Sequence, residues 1–159
     1  MFQAAPAPAG DDAPRYCCQD DGMVGLGCGA RSYTRSLHYS GEYAVGASGV
    51  RGIIAKYLQR QDFSVADYGF RLDGDEQRRR YVLKSLLRAD GLDLAAYQAR
   101  FGTDARHGWP VLAELEAQGL AVANPNLCLT PPDLELSGAL GPLFYSPRAN
   151  ALMRSYQWT

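Results

Sequence analysis

The stretch Met23-Val24-Gly25-Leu26-Gly27-Cys28-Gly29-Ala30-Arg31-Ser32-Tyr33 decides how the rest of the chain is read. Apolar residues run into glycines at alternate positions, the pattern of a short buried strand whose end lets a ligand or another backbone approach closely. That strand is expected over Met23 to Gly27, with Tyr16 to Asp21 as an earlier candidate. A strand apolar on both faces belongs inside a parallel sheet, and no βαβ neighbours flank this one. Two explanations follow: the chain is the tail of a longer protein, or it self-associates through an exposed strand edge. The first is the favoured expectation.

Gly25-x-Gly27-x-x-Ala30 also fits a loose dinucleotide fingerprint, in which a helix following the glycines offers its amides to a pyrophosphate. The residues from Arg31 to Gly41 are rich in hydroxyl and aromatic side chains and show no helical stripe. The acidic residue expected on a second strand has no candidate, because Glu42 comes too soon. Nucleotide binding is therefore a minor reading.

Upstream, residues 1–15 hold three prolines and few groups that could pack, which is a linker composition. Downstream, Val50, Ile53, Ile54, Tyr57 and Leu58 fall at helical spacing, with Lys56, Gln59 and Arg60 outside. Gln61 to Leu72 reads as a connector pinned by Val65, Tyr68 and Phe70. Asp73 with Glu76 forms a capping box opening a helix from about Gly74 to Ala89, with Val82, Leu83, Leu86 and Leu87 inward. Gln77, Arg78, Arg80, Lys84 and Arg88 fall mostly on its outer side, and Arg79 lies closest to the buried stripe. Asp90-Gly91 ends that helix, and Asp93 caps a short one closed by Gly102. A third helix from about Gly108 to Gln118 should bury Trp109, Leu112 and Leu115. Leu120 to Thr130 reads as a hairpin turning at Pro125-Asn126. The tail is broken near Pro142 and Pro147, with Leu134, Leu140, Leu143, Phe144, Leu152, Met153 and Tyr156 as packing residues.

The expected class is α+β, mostly helical, ending in a winged-helix-like order of three helices and a hairpin. A DNA-reading third helix would present Arg, Lys, Asn or Gln, whereas this one presents Glu114, Glu116 and Gln118 and would be repelled by phosphate. A chain of 159 residues, 47% hydrophobic and 21% charged, has the composition of a soluble globular protein. Its net charge of −1 gives no general attraction to nucleic acid or acidic lipid. No apolar run reaches spanning length, and no signal-peptide pattern opens the sequence, so a cytoplasmic location is the expectation. Cys17, Cys18, Cys28 and Cys128 are too few for a disulfide framework. Cys28 is expected to pack as a small apolar residue. His38 and His107 have no partner at ligand spacing. Tyr33, Tyr39 and Tyr43 suit either loop anchors or the border of a flat substrate.

The run Asp21-Gly22 through Tyr33 resembles the last barrel strand of the oxygen-independent coproporphyrinogen III oxidase family, a branch of the radical S-adenosylmethionine (SAM) enzymes. The resemblance continues in Gln77-Arg78-Arg79-Arg80-Tyr81-Val82-Leu83-Lys84-Ser85-Leu86-Leu87, which is similar to the family's Arg-Arg-x-x-aliphatic-x-Ser-Leu helix. Gly91-Leu92-Asp93-Leu94, Leu115-x-x-x-Gly119-Leu120 and Leu129-Thr130 follow in the family's order. The resemblance implies that Gly29, Ala30 and Arg31 border SAM, by backbone contact at least. It also implies a parent protein in which a Cys-x3-Cys-x2-Cys loop binds a 4Fe-4S cluster and reductive cleavage of SAM yields a radical that abstracts hydrogen from substrate. The four cysteines here lack that spacing, so the chain alone is not expected to assemble the cluster or to be active. Arg78, Arg79 and Arg80 suit a tetrapyrrole carboxylate or the barrel domain, or form a solvated face.

Three segments are expected: residues 1–45 as tail and last barrel strand, 46–72 as linking helix and connector, and 73–159 as a winged-helix-like accessory domain covering the barrel. The implied partners are an N-terminal radical SAM barrel and a tetrapyrrole-like substrate, with neither nucleic acid nor membrane. The rival reading is a stand-alone interaction module that dimerises through its unpaired strand.

Overall fold

The computed structural model describes residues 22–135 and 137–155. The N-terminal linker, the strand candidate Tyr16 to Asp21, Cys17, Cys18 and Tyr156 lie outside the described residues, as does the side chain of Leu134. The chain is α+β, with about half of it helical and two small antiparallel sheets. It divides between Arg71 and Leu72 into two compact units.

In the first unit, β1 (Arg31–Tyr33), β2 (Leu37–Ser40) and β3 (Tyr68–Arg71) form one sheet in that order. Arg31 lies opposite Ser40 and Tyr33 opposite His38, while Leu37 lies opposite Arg71. Between β2 and β3 runs α1 (Ala47–Gln59). The expected buried strand over Met23 to Gly27 is not formed. Met23 makes a single bridge to Tyr33, and Val24 and Leu26 are 70% and 91% exposed. The ladder instead starts at Arg31 and pairs with a strand in which Leu37 and Tyr39 stand two residues apart, a signal hidden among polar hydroxyls. β3 occupies the end of the expected connector, where Tyr68 and Phe70 alternate with Gly69 and Arg71.

The helix α1 forms where its period predicts, yet none of its residues is buried. Ile53 and Tyr57 are half-buried, whereas Val50, Ile54 and Leu58 remain exposed. Helical spacing marks an apolar face, but burial also needs a second apolar surface to meet it. Among the described residues of this unit, Ser32 alone is buried.

The second unit does have a core. Asp73 caps α2 (Gly74–Leu86), its carboxylate accepting from the N–H groups of Asp75 at 3.0 Å and Glu76 at 2.9 Å. The Glu76 carboxylate is buried and accepts from the Ser146 hydroxyl, an interaction seventy residues distant in sequence that no local capping pattern announces. Val82 and Leu86 face inward; Gln77, Arg78, Arg80 and Lys84 are half-buried rather than outside, and Arg88 is exposed. α3 (Leu94–Phe101) is capped by Asp93 and ended by Gly102, as its sequence predicts. The third expected helix is two pieces, α4 (Ala105–Gly108) and α5 (Pro110–Ala117), with Trp109 between them.

Val82, Leu86, Leu92, Trp109, Leu112 and Phe144 belong to a single buried cluster. Each fully buried aliphatic side chain contributes about 1.5–3 kcal/mol relative to exposure. Tyr97 and Trp109 enter this core without orphaned polar atoms, because the indole N–H donates to the Tyr97 hydroxyl at 3.2 Å. Arg79 lies over the Trp109 ring at 4.7 Å, donates Nε–H to Asp75 at 2.7 Å and reaches the Phe144 carbonyl at 3.0 Å. It is thus paired, as its position beside the apolar stripe suggests.

The hairpin is β4 (Ala121–Ala123) with β5 (Leu127–Leu129), Ala121 lying opposite Leu129. The other edge of β5 is taken by Leu92, which exchanges backbone bonds with Leu127 at 2.8 and 2.9 Å. Gly91 makes this approach possible. Its φ is +73°, and a Cβ there would press on Cys128 Sγ and on the Leu127 carbonyl. The tail follows as α6 (Pro131–Glu135), α7 (Ser137–Leu140), a 3₁₀ turn (Gly141–Phe144) and α8 (Pro147–Ser155). Phe144 is buried, but Leu143, Leu152 and Met153, expected to pack, are exposed.

Arg106 of α4 clamps Glu116 of α5 with two bonds of 2.8 Å. That fork, the larger effect, and the charge of Arg106 hold the Glu116 carboxyl below its ordinary range, against a smaller opposing push from burial. A depressed carboxyl stabilises the fold above its unfolded pKa, and the contribution is lost as pH falls through the folded value. Urea unfolding should therefore show Glu116→Gln less stable than the parent by about 1 kcal/mol or less at neutral pH, given the partial exposure of the pair. The difference should vanish on acidification below the ordinary carboxylate range.

Candidate functional site

The glycine stretch folds back on the strand that follows it. Met23 N–H donates to the Tyr33 carbonyl at 2.9 Å, and Tyr33 N–H returns to Met23 at 2.8 Å. Gly25 N–H donates to the hydroxyl of Ser32 at 3.1 Å, which gives the one buried residue among those described in this unit its partner. Between them the chain reverses with Gly27 at φ +106° and Gly29 at φ +70°, and Ala30 N–H closes the turn onto the Gly27 carbonyl at 3.2 Å. Left-handed φ values explain these two glycines. Gly25 has a different reason. A Cβ at that position would collide with the Arg31 carbonyl oxygen and come within 2.9 Å of the Ala30 Cβ.

This turn forms one wall of an open cavity of about 1030 Å³. Leu37 and Tyr39 of β2, Ile53 and Tyr57 of α1, and the loop from Phe63 to Asp67 supply the others. Two ion pairs sit on the rim and walls. Lys56 Nζ lies 3.0 Å from Glu42, and Arg60 lies 2.9 Å from Asp67. Each cation in the cavity wall thus already faces a carboxylate of this unit. In the adjoining loop, the N–H of Ser64, then its hydroxyl, hold the Asp62 carboxyl below the usual carboxylate range, with a smaller contribution from Arg60.

Of the residues singled out by sequence, Gly29 and Ala30 line the cavity, and Arg31 is exposed at the start of β1 outside its lining. Tyr39 lines it; Tyr33 instead packs edge-on against His38 with ring centres 4.8 Å apart, and Tyr43 is exposed. Cys28 does not pack as a small apolar residue. It is exposed at the tip of the turn, because the left-handed glycines on either side turn that tip into solvent. Arg60 and Asp67 had no signal in one dimension, since a contact across a structureless loop leaves no period.

The described residues contain no group of three or more His, Cys, Asp or Glu that could hold a metal ion. The described thiols are Cys28, exposed on its turn, and Cys128, two where the cysteine loop of a 4Fe-4S site supplies three. The described residues contain no helix long and apolar enough to cross a membrane. No protein-family model, curated protein or solved structure matches the chain.

The turn can be tested directly. Gly25→Ala should abolish hydrogen-exchange protection at the Met23 and Tyr33 amides while leaving the amides of α2 and α5 at parental rates. Cys28→Ala, with a side chain already in solvent, should change neither.

Proposed function

We propose that this chain is the C-terminal portion of a coproporphyrinogen III oxidase-like radical SAM protein, in which residues 73–159 are an accessory domain that covers the barrel. The observation that carries the reading is the contrast between the units. Val24, Leu26, Val50, Ile54 and Leu58 are exposed in a unit whose described residues bury only Ser32, whereas the second unit buries a full apolar cluster. Exposed apolar surface on this scale marks a missing contact. A barrel that takes up the glycine stretch as its last strand, in place of the turn it makes in this chain, would supply that contact: it would cover Val24 and Leu26 and bring Gly29 and Ala30 beside its SAM. In that assembly the cysteine loop belongs to the barrel, and this chain contributes shape and backbone contacts, not a cluster ligand.

A winged-helix-like order for the accessory domain is supported by the pairing of Leu92 with Leu127. It puts a short extended segment between the first and second helices on the outer edge of the hairpin. Its exposed third-helix face carries Pro110, Ala113, Glu114 and Ala117 without a basic residue, which suits packing on protein better than contact with phosphate. The half-buried Arg78 and Arg80 remain candidates for a tetrapyrrole carboxylate or the barrel. For the rival module that dimerises through its strand, the β1 edge is already occupied at Tyr33 by Met23.

Anaerobic reconstitution with iron and sulfide separates these readings. The isolated chain should take up no 4Fe-4S cluster and bind no SAM. Joined behind a barrel of this family that carries the cysteine loop, it should support reductant-dependent SAM cleavage. A clean dimer by light scattering, with residues 22–35 protected from exchange, would contradict the proposal, as would tight binding of NAD.

A further inference from the structure

The loop from Gln61 to Asp67 has neither helix nor strand, and every one of its residues is exposed. Its fold converges on a single side chain. Arg60, at the end of α1, donates Nε–H to the Asp62 carbonyl at 2.5 Å. One terminal nitrogen reaches both carboxylate oxygens of Asp67 at 3.2 and 2.9 Å, and the other donates to the Val65 carbonyl. The guanidinium also lies 5.5 Å from the Phe63 ring centre, and that ring packs on Tyr57 at 5.2 Å. All three guanidinium nitrogens are thus engaged by this one loop.

The inner side of the same loop is a cavity wall, to which Phe63, Ser64, Val65 and Ala66 contribute. We infer that residues 61–67 are a strap over the cavity, closed by the Arg60 fork and released as a unit when that fork is broken. The reasoning is geometric. A planar guanidinium sends its donors in fixed directions, so three acceptors at Asp62, Val65 and Asp67 meet it only when the loop has one shape. A lysine at this position keeps the charge, but its three donors radiate from one nitrogen and cannot reproduce the planar spread of the fork. The remaining anchor, Phe63, is 58% exposed and buries too little surface to hold the loop alone. Release widens the cavity at the wall that Phe63, Ser64, Val65 and Ala66 form.

Chymotrypsin reads the strap in the full chain, because Phe63 lies inside it and the exposed Tyr43 lies outside as an internal control. In Arg60→Lys, cleavage after Phe63 should rise about tenfold over the parent, the change expected from losing a charge-assisted fork in a locally opening segment. Cleavage after Tyr43 should stay at the parental rate. Asp67→Asn, which keeps the shape and removes the charge, should give a smaller rise at Phe63 alone. Parental cleavage at Phe63 in both variants would overturn the inference. So would acceleration at both sites together, which would make Arg60 a support of the whole sheet and not a clasp.

Discussion

Removal of apolar surface from water is the force on which this structure depends, and it is distributed very unequally along the chain. In the second unit, three helices, a hairpin and a 3₁₀ turn close on Tyr97, Trp109, Leu112, Leu127 and Phe144, all buried. Polar groups that enter this core arrive in pairs: Trp109 with Tyr97, Glu76 with Ser146. The first unit has ladders, a helix and ion pairs, but its described residues bury a serine and no apolar side chain. Backbone hydrogen bonds define its shape; each adds only about 0.5–1.5 kcal/mol net. Surface ion pairs such as Lys56–Glu42 add little more.

Arginine fastens segments together in both units. Arg60 gathers a loop by its carbonyls, Arg79 ties a helix to the 3₁₀ turn while covering an indole face, and Arg106 fastens two short helices through Glu116. In each case the planar guanidinium meets two or more acceptor atoms in fixed directions, which a lysine ammonium could not match. A chain with only two lysines, Lys56 and Lys84, concentrates its structural cations in this one side-chain type.

Much of the second unit could be read from the sequence, because its signals are local and reinforce one another. Asp73 and Asp93 cap helices, Gly102 and Gly119 end them, and the stripe of Val82 and Leu86 is buried as its period requires; the helix opened by Asp73 ends at Leu86, before the expected stop at Gly91. The first unit defeats the same reasoning. Its apolar alternation at Met23 to Leu26 looks like a buried strand, but the positive φ values at Gly27 and Gly29 send the chain back, and the ladder forms two residues later. Apolar spacing in α1 predicted the helix and not its exposure, since a periodic face says nothing about what lies opposite. Of the cavity lining, the sequence singled out Gly29, Ala30 and Tyr39; Arg60, Asp67 and Lys56 come together through folding alone.

The first unit is stabilised mainly by local hydrogen bonds, while the second rests on a core, and native-state hydrogen exchange across a urea series separates the two. Amides of the three-stranded sheet, from Arg31 to Arg71, should open with a smaller free energy and at lower urea than those of Val82, Leu86 and Leu112. Opening of both groups with one common free energy and one urea dependence would contradict this division.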